Sequence, residues 1–444
     1  MNMVKNLTEG RPLNLLFFFA LPMVAGNLFQ QLYNMVDTAV VGKFVGEDAV
    51  AAVGSSFPIV VLSVASGLSM GCNVVVSQLF GAGRIHEMKT TISTAIISLS
   101  VLGLIIMALG TVFAGPLLQL LGTDPDIMDD SRLYLRIYFG GAVFLFLYNT
   151  LNGIYNAQGD SKTPLIFLMI SSLTNIVLDL VFIVGLRMGV AGAAIATDLS
   201  QLVSCVLSLR FLMKSEDACR VELSAIRLHR KMAGRIIRVG LPTGIQNMVI
   251  SSSNVLVQAS VNSYGAAAMA GFAAYMKIDG FNILPVTSFS MAATTFVGQN
   301  YGAGNLKRVK NGMWVTLGMG VLYTLCTGAL LLAFQNPIMH LFTSDETVVA
   351  FGCSAMHYFC PFYFLLAILH GMAGAVRGTG RSVPPMVVLL ISLCLFRVVW
   401  IQFALPFFAG IEGVFVLYPV SWALGAVLMA LYAWKGSWMT YEHS

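Results

Sequence analysis

Charged residues are scarce in this chain of 444 residues: Asp, Glu, Lys and Arg together make up 10% of it. A soluble chain usually carries about 25% charged residues. The composition therefore argues against a soluble enzyme, a disordered chain and a nucleic-acid-binding protein. Residues of the hydrophobic set instead make up 57% of the chain, and one membrane-spanning helix needs about 20 of them.

Signals for metal, disulfide or covalent chemistry are also missing. The seven Cys and six His show no metal-ligand spacing, so we interpret the cysteines as reduced packing residues. Gly67-Leu-Ser-Met-Gly71 has the Gly-x-Ser-x-Gly pattern, but it lies in an apolar helical run, whereas a hydrolase needs this pattern at a strand-to-helix turn. We therefore expect no enzyme activity and no cofactor.

Long stretches without charge predict an all-α integral membrane protein with twelve transmembrane helices. The predicted helices lie near 14–39, 49–79, 90–114, 132–157, 163–186, 190–213, 239–263, 267–299, 311–334, 348–376, 384–408 and 411–434.

Lys and Arg are distributed unevenly between the two sides of the predicted bundle. With the N-terminus inside, nineteen of the 25 fall in inside segments and four in outside segments, while Lys277 and Arg397 lie within spans. Because inside loops carry the excess of Lys and Arg, both termini are expected in the cytoplasm of a multi-pass inner-membrane protein.

The chain repeats itself at an offset of about 220 residues. Gln78-Leu-Phe-Gly-Ala-Gly83 returns as Gln299-Asn-Tyr-Gly-Ala-Gly304, and Leu21-Pro22 returns as Leu241-Pro242. We predict an N-terminal six-helix bundle over 1–218 and a C-terminal one over 219–444. Since each half has an even number of spans, the pseudo-two-fold axis should run along the membrane normal, as in alternating-access transporters.

Polar residues line one face of the first helix of each half. The two stripes are Asn27, Gln30, Gln31, Tyr33, Asn34, Asp37 and Thr38 in the first helix, and Asn247, Ser251, Asn254, Gln258 and Asn262 in the seventh. Unpartnered polar groups are not left facing lipid. Hydrogen bonding between helices would explain one stripe, whereas two matching stripes favour a shared polar cavity.

Six ionisable residues lie within the predicted spans: Asp37, Asp179, Asp198, Lys277, Asp279 and Arg397. Such residues mark functional sites by default, although Lys277, Asp279 and Arg397 could simply pair within the second bundle. The repeat places Val257 opposite Asp37 and Val399 opposite Asp179, so an ion site in the first half is expected. Hard oxygen ligands suit Na⁺, and two carboxylates sharing one site could hold a proton instead.

Together these residues resemble the multidrug and toxic compound extrusion (MATE) family, in its DinF-like branch. The resemblance covers nearly the whole chain and includes the twin Gln-x-x-Gly-Ala-Gly turns, Gly159-Asp-Ser-Lys-Thr-Pro164 and Lys277-Ile-Asp279. The NorM-like branch instead carries carboxylates on the seventh and tenth helices, and 239–263 and 348–376 contain no Asp or Glu.

The resemblance implies a cation site, for H⁺ or Na⁺, on Asp37, Asn175, Asp179 and Thr197. It implies a substrate cavity that includes Gln30, Tyr33 and Asn152, to which the polar stripes add Asn34 and Asn254. It also places Pro22 where the first helix bends. Asp198 lies beside Thr197 but about 100° away around the helix, so the two should not face one site; the resemblance favours Thr197, and bare chemistry favours Asp198.

The expected function is therefore export of amphipathic, mostly cationic compounds by a cation-coupled antiporter that acts as a monomer in the lipid bilayer. A lipid-linked precursor flippase of the same superfamily remains an alternative, as does a carrier of the major facilitator type. The flippase should carry several cationic residues, and the first half has none in its spans. The carrier usually has a Gly-Asp-Arg-type loop, where this chain has Gly81-Ala-Gly-Arg-Ile-His86.

Overall fold

The chain is folded into α-helices, with no strand in the residues that the structure describes. The computed structural model describes residues 5–46, 49, 57–120, 123–214 and 227–440. The helices of the first half are α1 (Pro12–Phe44), α2 (Phe57–Gly81), α3 (Ile85–Leu120), α4 (Met128–Gly140), α5 (Ala142–Ala157), α6 (Lys162–Asp179) and α7 (Gly189–Lys214). Those of the second half are α8 (Arg230–Asn262), α9 (Ala266–Gly302), α10 (Leu306–Ala333), α11 (Gln335–His340), α12 (Glu346–Phe359), α13 (Tyr363–Gly378), α14 (Val383–Leu390), α15 (Phe396–Val399) and α16 (Glu412–Trp434).

The predicted all-α membrane fold is confirmed. Within the described ranges, nine helices are long and apolar enough to cross a membrane, and the bent pair α4–α5 makes ten. The two remaining predicted spans are α8, with 33 residues, and α9, with 37. Both are long enough to span but carry more polar residues, including the second polar stripe on α8. Of the predicted span 49–79, residues 50–56 lie outside the described residues.

Several predicted spans are interrupted rather than regular. The predicted helix 132–157 is two helices that meet at Gly141 with a bend of 49°. Asp179 is followed directly by a π-helical turn at Leu180–Gly185, and two further π-turns cover Ile391–Leu395 and Trp400–Ala404 in the second half. The turns that start at Leu180 and Trp400 begin 220 residues apart, so the two halves share an irregularity of the kind that often marks functional sites.

The chain divides into two compact units. Unit 1 contains Met1–Asn6 and Ala25–Gly244, and unit 2 contains Leu7–Val24 and Ile245–Ser444. The predicted bundle boundary between residues 218 and 219 lies outside the described residues. The first helix of each half changes unit two residues after its internal proline, Pro22 in α1 and Pro242 in α8.

Close backbone packing stabilises the join between α2 and the first part of α8 within unit 1. Gly67 and Gly71 of α2 face Gly240 and Gly244 of α8, so that two Gly-x-x-x-Gly motifs cross. A Cβ atom placed on Gly67 would lie 2.3 Å from the backbone nitrogen of Gly244, and one on Gly71 would lie 2.3 Å from the carbonyl oxygen of Ile236. Small residues allow this approach in membrane proteins, where packing rather than water exclusion drives helix association.

The core of unit 2 is built from aromatic rings. Phe359 packs on Tyr418 with ring centroids 4.6 Å apart, and Tyr363 stacks on Trp422 at 5.5 Å. Unit 1 also contains ring contacts, such as Tyr155 with Phe167. Close glycine contacts occur in both units: a Cβ atom on Gly153 would lie 2.6 Å from the Ser69 carbonyl oxygen, and one on Gly374 would lie 2.4 Å from that of Ser290.

Candidate functional site

Three of the four predicted cation-site residues meet where α6 and α7 pack together. Asn175 and Asp179 lie one turn apart on α6, and both are fully buried. With the Asn175 amide oriented to suit its neighbours, Nδ2 donates to Asp179 Oδ2 at 2.8 Å, and Oδ1 accepts the backbone N–H of Thr197 at 3.2 Å. Asn175 therefore fixes one carboxylate oxygen of Asp179 against α7.

The fourth predicted residue, Asp37 of α1, completes the group. Its carboxyl group lies within hydrogen-bonding reach of the Asp179 carboxyl group. Oδ1 of Asp37 and Oδ1 of Asp179 are both buried, and neither accepts a hydrogen bond from a described N–H or O–H donor. Two carboxylates at this distance repel each other unless a proton or a cation lies between them.

The polar stripe of α1 extends the group. Tyr33, one turn before Asp37, is hydrogen-bonded through its side chain to Thr197. Gln30 Nε2 donates to Asn34 Oδ1 at 3.2 Å, and the Asn34 side chain is exposed. The stripe thus places a phenol beside the acids and leaves two amides next to it, an arrangement that can serve both an ion and a polar organic molecule.

Asp198 takes part in a different interaction from Thr197. Its carboxylate lies against the backbone of Gly141, at the break between α4 and α5, while the Gly141 N–H donates to the Ile137 and Tyr138 carbonyls. A Cβ atom on Gly141 would lie only 2.0 Å from Oδ1 of Asp198. The structure therefore places Thr197 with the two acids and uses Asp198 at the N-terminus of α5, where a negative charge is favourable.

Asn254 belongs to unit 2 and has a basic partner. Arg397 Nη1 donates to Asn254 Oδ1 at 2.9 Å, and the guanidinium lies 4.6 Å above the ring of Tyr418. Asp279 accepts hydrogen bonds from the hydroxyl groups of Tyr275 and Tyr363. Asp279 and Arg397 have separate hydrogen-bond partners and form no direct ion pair, but they lie within electrostatic range of each other.

Three further residues named from the sequence are placed as follows. Lys277 is exposed. Asn152 of α5 is half-buried, and its Oδ1 atom is buried without a hydrogen-bond partner. Helix α1 is continuous through Pro22.

Tyr134 of α4 was not singled out from the sequence, yet it belongs to this region. It lies within electrostatic range of Asp37, Tyr33 and Asp198, and its ring stacks on that of Tyr138 at 6.1 Å. A tyrosine on an apolar helix carries no pattern of its own, and only the packing of α4 against α7 shows where it lies.

The repeated halves identify the family. A sequence model described as MatE matches residues 22–181 and, a second time, residues 242–401. The chain belongs to the MATE family. The two matches begin 220 residues apart, which is the offset between the repeated motifs, so each half is one copy of the MATE unit.

Relatives along the whole chain agree with this assignment. The protein named "Probable multidrug resistance protein YpnP" of Bacillus subtilis is 32% identical over 98% of this chain and 97% of its own length. The "FAD transporter" of Shewanella oneidensis is 25% identical over 90% of both chains. This MATE protein is therefore an integral multi-pass membrane protein with transporters among its relatives.

Solved structures show the same fold. The outward-facing conformation of a multidrug resistance MATE family transporter of the MOP superfamily superimposes with a TM-score of 0.91, covering 98% of each chain at 23% identity.

Proposed function

We propose that this protein is a cation-coupled antiporter of the cell membrane that exports amphipathic, mostly cationic compounds by alternating access. The observation that carries the proposal is the pair of buried carboxyl groups, Asp37 and Asp179, each with an oxygen that no described donor satisfies. A proton or a Na⁺ ion supplies the missing partner. The names of relatives such as YpnP support multidrug export as the process that this ion drives.

The chemistry of the group suits either coupling ion. One proton shared between the carboxyl groups would remove one negative charge and supply the hydrogen bond between them. For Na⁺, the two carboxylates would be joined by Asn175 Oδ1 or the Thr197 hydroxyl group, which are hard oxygen ligands. Either ion changes the charge beside the polar stripe of α1, so ion binding and the binding of an organic cation would oppose each other.

The membrane potential contributes energy to this exchange when the coupling ions carry more charge inward than the substrate carries outward. One net charge moved down a potential of 100 mV supplies about 2.3 kcal/mol, or roughly fifty-fold in concentration. An anionic cavity with aromatic groups suits organic cations, and Asp37 and Tyr33 provide both kinds of group.

Removing either carboxylate should uncouple transport. Asp37→Asn and Asp179→Asn keep the side-chain volume and remove the charge, so we expect each variant to lose gradient-driven export. The double variant should be no worse than either single variant, because one substitution already breaks the shared site. Export of a fluorescent cation from liposomes, with pH and Na⁺ gradients imposed separately, measures the loss and identifies the ion.

Two controls accompany this experiment. Asp126→Asn removes an exposed acid, and Val257→Ala alters the position that the repeat places opposite Asp37; both should retain coupled export. Full gradient-driven export by the double Asn variant would contradict the proposal.

The flippase alternative calls for cationic residues inside the protein. The structure buries two guanidinium groups, Arg377 and Arg397, and both lie in unit 2. Arg397 donates hydrogen bonds to Ser421 and Asn254 and lies within electrostatic range of Asp279, whereas Arg377 makes one hydrogen bond.

A further inference from the structure

Arg377, near the end of α13, is a buried cation with almost no partner. Its side chain is only 6% exposed. One hydrogen bond is present, from Nη2 to Oε1 of Gln246 at 3.5 Å, which is the upper limit for such a bond. The Nε atom is buried and has no hydrogen-bond partner.

The positive charge of Arg377 is also uncompensated. The ion pairs in the described part of the chain are Arg84–Glu87 and His340–Glu346, and neither involves it. A buried charge without a counter-charge is strongly unfavourable, so an anion that binds beside Arg377 would relieve this cost.

Two other arginines in unit 2 make more hydrogen bonds than Arg377 does. Arg308 donates to Asn300 Oδ1 at 2.8 Å, to the Gly10 carbonyl at 2.8 Å and to the Leu7 carbonyl at 3.1 Å. Arg397 bonds to Asn254 and lies against Tyr418. Arg377 differs from both because its buried Nε–H group makes no hydrogen bond.

The Nε edge of the Arg377 guanidinium group suits one class of ligand. Nε and a neighbouring Nη of a guanidinium group form two parallel donors that match the two oxygens of a phosphate or carboxylate. His370, two turns earlier on the same face of α13, lies within electrostatic range of Arg377.

We propose that Arg377 forms a binding subsite for an oxyanion, in the form of a phosphate group carried by a transported amphiphile or of free phosphate. Gln246 holds one end of the guanidinium group, and the Nε edge binds the anion. This inference deepens the proposed function, because it allows substrates that carry an anionic group as well as an apolar body.

The test compares two probes that differ only in the phosphate group: 4-methylumbelliferyl phosphate and 4-methylumbelliferone, with inorganic phosphate as a third. Equilibrium binding to purified protein is measured without any ion gradient. The dissociation constant for the phosphate ester should rise about tenfold in Arg377→Gln, as expected for the loss of charge-assisted hydrogen bonds. Arg377→Lys should fall between Arg377→Gln and the native protein, and the nearby Arg381→Gln should change the constant less than twofold.

The outcomes separate the possible sources. Arg377-dependent binding of the ester, without matching binding of inorganic phosphate, supports an amphiphile headgroup. Equal Arg377-dependent binding of inorganic phosphate supports a free anion. Equal affinity of Arg377→Gln and the native protein for both phosphate probes overturns the proposal.

A measurement on the native protein covers variants that fail to fold. Bound phosphate ester should raise the thermal unfolding midpoint of the native protein in detergent, because a ligand that binds only the folded state stabilises it. An unchanged midpoint with both phosphate probes at saturating concentration overturns the proposal as well. Because neither measurement uses a gradient, their failure is distinguishable from a failure of cation coupling.

Discussion

Thr197 and Asp198 are neighbours in sequence but act in different places. Thr197 meets Asn175 and Tyr33, whereas Asp198 lies against the backbone of Gly141. Helical geometry predicts this separation, since adjacent residues point about 100° apart. The sequence could not predict the partner of Asp198, because the break between α4 and α5 at Gly141 shows no signal beyond a Gly-Gly pair.

His340 provides a test at the level of one residue outside the spans. Its Nδ1 lies 2.8 Å from the Asn336 carbonyl oxygen, and its Nε2 lies 3.3 Å from Oε1 of Glu346. The carbonyl contact, followed by the Glu346 contact, raises the pKa of His340 above its ordinary value, which is about 6.5. The contribution of this group to stability is therefore fully present below pH ~6.5 and is lost as the pH rises through the raised pKa.

An NMR titration of the His340 imidazole should consequently show a midpoint above about 6.5. Glu346→Gln should lower that midpoint without bringing it fully back, because the Asn336 carbonyl remains. A midpoint at or below the ordinary value in the native protein would contradict the structure.

Irregular segments of the helices define the candidate site more than their length does. The π-turns after Asp179 and after Val399 occupy equivalent places in the repeat. Both halves therefore have the turn, whereas only the first half has a carboxylate before it. Hydropathy predicts where a span lies but not where its winding changes. The Gly-x-x-x-Gly crossing was likewise present in the sequence at Gly67 and Gly71, yet its partner on α8 required the structure.

The close packing of α2 on α8 predicts that replacing glycine by alanine lowers stability at a packed glycine and does not lower it at an unpacked one. Gly71→Ala forces a Cβ against the Ile236 carbonyl, and overpacking of this kind costs about 1–3 kcal/mol. Gly234→Ala on α8 meets nothing within 4 Å and should instead stabilise the helix by roughly 0.5–1 kcal/mol. Thermal unfolding in detergent, followed by intrinsic fluorescence, should show a lower midpoint for the first variant and an equal or higher one for the second; equal midpoints for both would contradict the close packing.

At the scale of the whole chain, duplication and divergence explain which predictions were possible. Motifs that recur about 220 residues apart predicted that the chain consists of two similar halves, and the family match repeats at the same offset. The acids of the candidate site could be named because Val257 and Val399 replace them in the second half. The polar contacts within unit 2, such as Arg397 with Asn254, join residues 143 positions apart, and no periodicity in the sequence relates them.

The uneven distribution of Lys and Arg predicts how the molecule lies in the membrane. Nineteen of these residues fall in the segments assigned to the cytoplasm and four in those assigned outside, a bias that sets orientation.

In a variant with all seven native cysteines replaced, Asp126→Cys should react with a membrane-impermeant maleimide added to intact cells. Arg227→Cys should react only after the cells are permeabilised, and this second step controls for a thiol that is buried rather than cytoplasmic. Asp126 is exposed and lies in the turn before α4, and Arg227 is exposed and precedes α8, so both positions accept a small side chain. The reverse labelling pattern would invert the topology, and with it the direction in which the proposed ion gradient drives export.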